Sequence, residues 1–115
     1  MHNTRDIFLF ERKIKMLEFE IENTTLTAFI SGELDQHVAG NLISLIDLKL
    51  ATGIYNTLIF DFTRLAFMDS SGIAVIMGRV KNMQAVSGCV KVRAGDEKNL
   101  KLLTLAGLDK FVEFI

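Results

Sequence analysis

The chain has 115 residues and a mass of 12.9 kDa, the size of one ordinary domain. Half of the residues are hydrophobic and 23% are charged, which is typical of a folded globular protein and excludes a disordered tail. The net charge of −1 provides no basic field for a nucleic-acid backbone, so we expect no binding to DNA or RNA.

The hydrophobic segments of the sequence resemble neither a membrane-spanning helix nor a secretory signal. A spanning helix needs about 18 residues with few charges, and every such window of this sequence contains a charged side chain. Asp6 stands where a secretory signal carries basic residues, and the apolar run at residues 7–10 is too short for a signal core. We therefore expect a cytoplasmic protein that is not bound to a membrane. The single cysteine, Cys89, excludes an internal disulfide and is interpreted as a half-buried structural thiol.

The first predicted element is a β-hairpin. Apolar and acidic residues alternate at 17–22, a period of two that predicts a strand at or near a sheet edge. Turn residues at 22–24 lead into a second alternating segment, which Gly32 is predicted to end.

Helices and strands then follow in turn. Helical spacing predicts a first helix over residues 36–52, stopped by Gly53. The apolar run at 58–62 predicts a central strand covered on both faces. A second helix is predicted from Ser71 to about residue 87, then a strand at 90–93, a short helix at 95–107 and a last strand at 111–115.

The predicted order β-β-α-β-α-β-α-β indicates a single α/β domain with a mixed sheet. After the antiparallel hairpin, strand–helix–strand repeats require parallel pairing. We assign this domain to residues 16–115. Residues 1–15 form an N-terminal extension of uncertain structure, with three interpretations open: a further strand, a homodimer contact or a disordered lead-in.

The most informative segment joins the central strand to the second helix, with the sequence Asp69-Ser70-Ser71-Gly72-Ile73. Either Asp69 or Ser70 can cap the helix by accepting hydrogen bonds from its first N–H groups. One capping oxygen suffices, so the hydroxyl of Ser71 is left in the first turn, near the positive end of the helix dipole. A phosphate on that hydroxyl is expected to be locally stabilised.

A second loop, at residues 31–37, leads into the first helix. Asp35 is predicted to be the N-cap of that helix, and His37 lies in its first turn. Loops that leave the carboxyl ends of parallel strands gather at one edge of the sheet. We therefore expect the Asp35 loop and the Asp69-Ser70-Ser71 loop to share a surface.

The sequence argues against an enzyme. A serine hydrolase needs a Gly-x-Ser-x-Gly turn with a positioned histidine and acid, and the chain has only His2 and His37. A phosphate loop and a dinucleotide-binding fingerprint are missing, and two separated histidines with one cysteine make no convincing metal site. We expect no catalytic residues, no cofactor and no metal.

The motifs Gly32-Glu33-Leu34-Asp35, Phe67-Met68-Asp69-Ser70-Ser71-Gly72 and Met77-Gly78-Arg79 resemble the STAS-domain family, in particular the anti-sigma factor antagonists of the sporulation type. The resemblance covers residues 16–115. It implies a protein that, when unmodified, binds an anti-sigma factor that is also a serine kinase and so releases the sigma factor. Phosphorylation by that kinase with ATP ends the interaction, and a PP2C-type phosphatase restores it.

The resemblance also assigns roles to residues. The second serine of the motif, Ser71, is the expected phosphorylation site, and Asp35 matches an acidic position that contacts the kinase. The remaining residues expected to bind the partner are Asp69, Ser70, Gly72 and Ile73. Two alternatives stay open: a STAS scaffold or transporter-associated docking domain without phosphate turnover, and a sensor of a nucleotide or lipid.

The chain departs from the family pattern at both ends. Family members continue past the last strand into a C-terminal helix, whereas this sequence stops at Ile115. Residues 1–15 exceed the usual start. One hypothesis joins the two departures: the N-terminal apolar run covers the exposed flank of the last strand, in the same chain or in a neighbour.

Overall fold

The computed structural model describes residues 16–115, which form a five-stranded sheet and three helices. The strands are β1 (Leu17–Glu22), β2 (Thr25–Leu34), β3 (Thr57–Met68), β4 (Cys89–Arg93) and β5 (Glu113–Phe114). The helices are α1 (Gln36–Leu50), α2 (Ser71–Gln84) and α3 (Glu97–Leu105), and a turn of 3-10 helix at Leu108–Lys110 precedes β5.

The sheet has the predicted mixed topology. Its strand order is β1-β2-β3-β4-β5, with β1 antiparallel to β2 and every later pair parallel. This confirms the single α/β domain and places the hairpin strand β1 at an edge. None of the helices in residues 16–115 is long and apolar enough to cross a membrane.

The described helices pack on one face of the sheet. Alternate residues of β2 and β3, such as Ile30 and Phe60, are buried in a single core with the inner faces of α1 and α2. The expectation that β3 is covered on both faces was wrong for the described part of the chain. Ile59 and Asp61 point to the opposite face, and Asp61 is buried there by polar neighbours rather than by a helix.

Several element boundaries differ from the predicted ones. β2 does not end at Gly32 but continues to Leu34, and β3 extends six residues beyond the predicted end, to Met68. The helix α1 ends at Leu50, before Gly53, with Ala51 as its C-cap. The hypothesis about residues 1–15 lies outside the described residues.

The helix α2 ends at Gln84, and Ser87 follows it with a positive φ of 58°. The N–H of Gly88 donates to the carbonyl of Met83 at 2.7 Å, and the N–H of Ser87 donates to the carbonyl of Gln84 at 3.1 Å. These two bonds are the Schellman pattern that satisfies the last carbonyls of a helix.

One carboxylate joins α1 to α2. Oδ1 of Asp47 lies 2.8 Å from Nε of Arg79, which is buried, and accepts a hydrogen bond from Nδ2 of Asn82 at 3.2 Å. The Arg79 guanidinium also donates to the Val75 carbonyl at 3.3 Å. Because a buried cation without a partner is costly, this contact fixes how the two helices sit against each other.

Asp61 is the buried charge of the central strand. Burial by itself raises the pKa of its carboxyl, but hydrogen bonds from the side chain and backbone of Thr63 and from Arg93 outweigh it and hold the pKa below the ordinary 3.8. A carboxyl with a lowered pKa in the folded state stabilises the fold at pH values above the unfolded-state pKa. That contribution disappears as the pH falls through the folded-state pKa.

We expect Asp61→Asn to lower the free energy of unfolding by about 2 kcal/mol at neutral pH, because the substitution removes the buried charge that accepts hydrogen bonds from Thr63 and Arg93. The difference from wild type should shrink as the pH falls below 3.8. Denaturant unfolding at about pH 7 and about pH 3 measures both effects. The exposed Asp109→Asn is the control, and a difference that is constant across pH would contradict the assignment.

Candidate functional site

The site is built where β2 and β3 end side by side. Their parallel register runs to the pair Leu34–Met68, the last residues of both strands. The N–H of Asp69 then donates to the carbonyl of Leu34 at 3.1 Å, which ties the start of one loop to the end of the neighbouring strand. The prediction that the Asp35 loop and the Asp69-Ser70-Ser71 loop share an edge is thereby confirmed.

Two extra residues in β3 accompany this extended pairing. The register shifts between Phe29 and Ser31 and again between Gly32 and Glu33. Gly32 has a φ of +80°, a conformation that side chains rarely adopt. Residues 29–34 of β2 pair with residues 61–68 of β3, so each shift places one extra residue in β3, as in a β-bulge.

The structure resolves which residue caps α2. Oδ1 of Asp69 accepts a hydrogen bond from the N–H of Ser71 at 2.8 Å, whereas the side chain of Ser70 makes no capping bond. The N–H groups of Gly72 and Ile73 donate to the backbone carbonyls of Asp69 and Ser70, both at 3.1 Å. The first three amides of the helix therefore already have acceptors.

In this arrangement the hydroxyl of Ser71 is not needed to cap the helix. Ser71 is half-buried in the first turn of α2, and no hydrogen bond involves its Oγ within residues 16–115. Ser70 is exposed beside it. The Asp69 carboxylate, which holds the Ser71 N–H, adds a negative charge at this helix start.

Asp35 holds the neighbouring helix start. Its carboxylate accepts from the N–H of His37 at 2.8 Å, as expected for the N-cap of α1, and lies 3.5 Å from Nδ1 of the exposed imidazole. The carboxylate remains partly exposed. Asp35 and Asp69 thus hold the two helix starts that follow the adjoining ends of β2 and β3.

Two of the expected partner-binding residues turn inward. A Cβ at Gly72 would collide with Sδ and Cγ of Met68, so the missing side chain lets α2 begin close to the end of β3. Ile73 is half-buried and packs against the core. The positions of these two residues give them packing roles, and their part in partner binding stays a prediction.

The sequence interpretation did not include Phe67 and Glu33 among the site residues. They are paired in register beside the bulge, both are exposed, and the Phe67 side chain is 49% accessible. Ending β3 at residue 62 hid their alternation. Within residues 16–115, no group of three His, Cys, Asp or Glu side chains is placed to hold a metal ion.

We expect Asp69→Ala to lower the free energy of unfolding by about 1 kcal/mol, since it removes the acceptor of the Ser71 amide, and to lower the Tm by about 4 °C. Ser70→Ala is the matched control and should stay within about 0.5 kcal/mol of wild type, because its hydroxyl caps nothing. Thermal unfolding of the three proteins decides the matter. Equal losses in the two variants would assign the cap to both residues.

Known proteins match both the sequence and this fold. The family model of the STAS domain matches residues 16–115. The chain is 30% identical over 96 residues to the anti-sigma F factor antagonist of Paenibacillus polymyxa, covering 84% of this chain and 82% of that protein. It is 32% identical over 75 residues to the anti-sigma F factor antagonist of Lysinibacillus sphaericus, covering 63% of this chain and 64% of that protein, which is less than two thirds of its length.

The structural similarity agrees. The anti-sigma factor antagonist SpoIIAA in its unphosphorylated form has a TM-score of 0.75 at 28% identity, over 86% of this chain and 87% of that one. The phosphorylated form of the Bacillus cell fate determinant SpoIIAA has a TM-score of 0.68 at 28% identity, over 86% and 90% of the two chains. With the family model matching from residue 16 to the last residue, the chain belongs to the STAS domain family, and among its members it is similar to the anti-sigma factor antagonists.

Proposed function

We propose that this protein is a phosphorylation-controlled anti-sigma factor antagonist. In its unphosphorylated form it binds an anti-sigma factor that has serine kinase activity, and the sigma factor is released. Phosphorylation of Ser71 by that kinase ends the binding, and a PP2C-type phosphatase reverses it. In this proposal the protein acts by binding and carries no catalytic residue of its own.

The observation that carries the proposal is the unused hydroxyl of Ser71. It stands at an exposed edge, in the first turn of α2, while the adjacent Asp69 performs the capping. Modification of a serine whose hydroxyl caps its own helix would destabilise that helix, whereas the hydroxyl of Ser71 makes no capping bond. The similarity to SpoIIAA, which has structures in unphosphorylated and phosphorylated forms, supports control by phosphorylation.

Charge explains why a phosphate at this place would change binding. It adds about −1.5 to −2 charges at pH 7, so the net charge of the protein would go from −1 to about −3. The added charge would lie beside the Asp69 carboxylate, at the edge that Asp35 and Glu33 also border. A partner surface that is complementary to the unmodified edge would meet repulsion and a desolvation cost.

The first turn of α2 also modifies the expectation that a phosphate is stabilised locally. The amides of Ser71, Gly72 and Ile73 already have acceptors in Asp69 and Ser70, so a phosphate would have to displace these acceptors to use the amides. The helix dipole favours the phosphate, while the neighbouring carboxylate opposes it. The two effects act in opposite directions, and we expect the folded state to be preserved.

The acceptor is tested by incubating the full chain with ATP and an anti-sigma factor of the serine kinase type from the same organism, followed by peptide mass analysis. The proposal predicts one phosphate, on Ser71, that is absent in Ser71→Ala and retained in the matched variant Ser70→Ala. Absence of phosphate in the wild-type protein would instead favour a STAS scaffold without phosphate turnover.

The switch is tested by the affinity of the same kinase for the modified protein. We expect phosphorylated protein and Ser71→Asp to bind at least tenfold more weakly, a loss of about 1.4 kcal/mol or more, while Ser71→Ala binds like wild type. Circular dichroism should show the same fold for all of them. Tight binding by the phosphorylated protein would refute the switch even if Ser71 is the acceptor.

A further inference from the structure

Phe67 is an exposed aromatic side chain close to the edge that carries Asp35 and Ser71. Its side chain is 49% accessible and does not belong to the hydrophobic core, and within residues 16–115 its ring makes no aromatic or cation–π contact. Single exposed hydrophobic residues are common on soluble proteins, so exposure alone assigns no role to this ring. The position of Phe67 in the sheet distinguishes it from the other exposed hydrophobic residues.

The part of β3 that contains Phe67 has a neighbouring strand on one side only. β3 pairs with β2 as far as Met68, whereas β4 pairs with β3 only as far as Asp61. Phe67 and its register partner Glu33 directly precede the buried residues Met68 and Leu34, and because side chains alternate along a strand, they point away from the core. Among residues 16–115, the ring is thus open to a partner at the end of the sheet where the two loops meet.

Glu33 gives this surface a negative charge that no cation of the described residues neutralises. The side chain is exposed, and none of the ion pairs within residues 16–115 includes it. Arg64, the cation of β3, pairs with Glu18 at 3.5 Å instead. A surface complementary to Phe67 and Glu33 therefore has an apolar pocket for the ring and a Lys or Arg for the carboxylate.

The kinase proposed above needs such a contact outside its nucleotide site. For transfer to Ser71, the γ-phosphate of ATP must lie against the serine hydroxyl, so the part of the kinase that faces Ser71 is occupied by phosphates and their metal ions. Phe67 is four residues from Ser71, which is no more than about 14 Å of chain. A protein–protein interface of standard size covers about 800 Å² of each partner and can include both residues.

We propose that Phe67 is the apolar anchor of the interface with the anti-sigma factor kinase, with its ring in an apolar pocket of that partner and Glu33 paired with a Lys or Arg beside the pocket. This role rests on the proposed function and divides it between two parts of one surface. Phe67 and Glu33 supply affinity, and the state of Ser71 decides whether the complex can form. An aromatic ring suits the first task, because aromatic residues are enriched at the buried centre of interfaces, where few residues carry most of the binding energy.

The anchor is tested by titrating the anti-sigma factor kinase from the same organism with full-length variants that all carry Ser71→Ala, so that none is phosphorylated at Ser71. We expect Phe67→Ala to weaken binding at least tenfold, which is about 1.4 kcal/mol or more, and Phe67→Leu to lose less because it keeps an apolar side chain. Phe111→Ala is the matched control and should bind within twofold of the parent. Phe111 is 50% accessible and also lies outside the core, but it precedes the amino end of β5, at the opposite end of the sheet.

The charge is tested in the same titration. We expect Glu33→Lys to weaken binding about tenfold through repulsion from the partner's cation, and Glu33→Gln to make the affinity less dependent on salt. Glu97→Lys, at the exposed start of α3, is the control for the change in net charge and should bind like the parent. An unchanged Tm in each variant would show that the losses do not come from unfolding, as expected for exposed positions.

Phosphorylation kinetics separate the anchor from the switch. With Ser71 intact, we expect Phe67→Ala to raise the KM of the kinase for this protein at least tenfold with little change in kcat, because an anchor contributes equally to the bound state and to the transition state. Peptide mass analysis should still find the phosphate on Ser71.

The failure of the anchor can be told apart from the failure of the proposed function. If phosphorylation of Ser71 abolishes binding but Phe67→Ala and Glu33→Lys bind like the parent, the anchor is wrong and the switch stands. Equal losses in Phe67→Ala and Phe111→Ala would also overturn the anchor. A selective loss in Phe67→Ala, together with no phosphate on the wild-type protein, would support the anchor and refute the switch, and a parent that does not bind the kinase would refute both.

Discussion

The parallel pairing of β2 with β3, carried through a bulge to their last residues, is the constraint on which the site depends. It brings the carbonyl of Leu34 to the N–H of Asp69 and so places two loops, distant in sequence, at one edge. If β2 ended at Gly32, Asp35 and Asp69 would each hold a helix start without belonging to a common surface. The hydrogen-bond ladder of the sheet is therefore also the scaffold of the proposed recognition edge.

Sequence patterns were sufficient for the fold because each element agrees with its period. Alternation, apolar runs and helical stripes predicted the five strands and three helices in their order, but not the 3-10 helix at Leu108–Lys110. Prediction from alternating residues fails where the pairing of two strands is irregular. Two extra residues in β3 relative to β2 break its period of two beyond residue 62, so its extension to Met68 was not visible and Phe67 was missed. The one-sided covering of β3 was missed because Asp61 is buried by partners from neighbouring positions.

At the candidate site, too, some features could be predicted from the sequence and others required the structure. The motif around Ser71 and the N-cap role of Asp35 could be inferred from residue types, since short polar side chains before an apolar stripe are typical of helix starts. The choice between Asp69 and Ser70 as cap required coordinates, because both have a suitable oxygen. The inward positions of Gly72 and Ile73 required them too, since they depend on how closely α2 approaches Met68. Residue type indicates what a position can do, and packing decides which of those tasks it performs.

The ion pair between Asp47 and Arg79 has a consequence for the proposed phosphorylation of Ser71. It lies eight residues along α2 from Ser71, about 12 Å at 1.5 Å per residue, and the helix cannot slide along its axis without separating it. A phosphate on Ser71, as proposed, would then be felt by a molecule that touches that end of α2, while the ion pair would hold the helix in the same place. If both proposed forms were present, they would compete equally for a partner that binds elsewhere on the domain. Only a partner that binds at the edge with Asp35 and Ser71 would distinguish them.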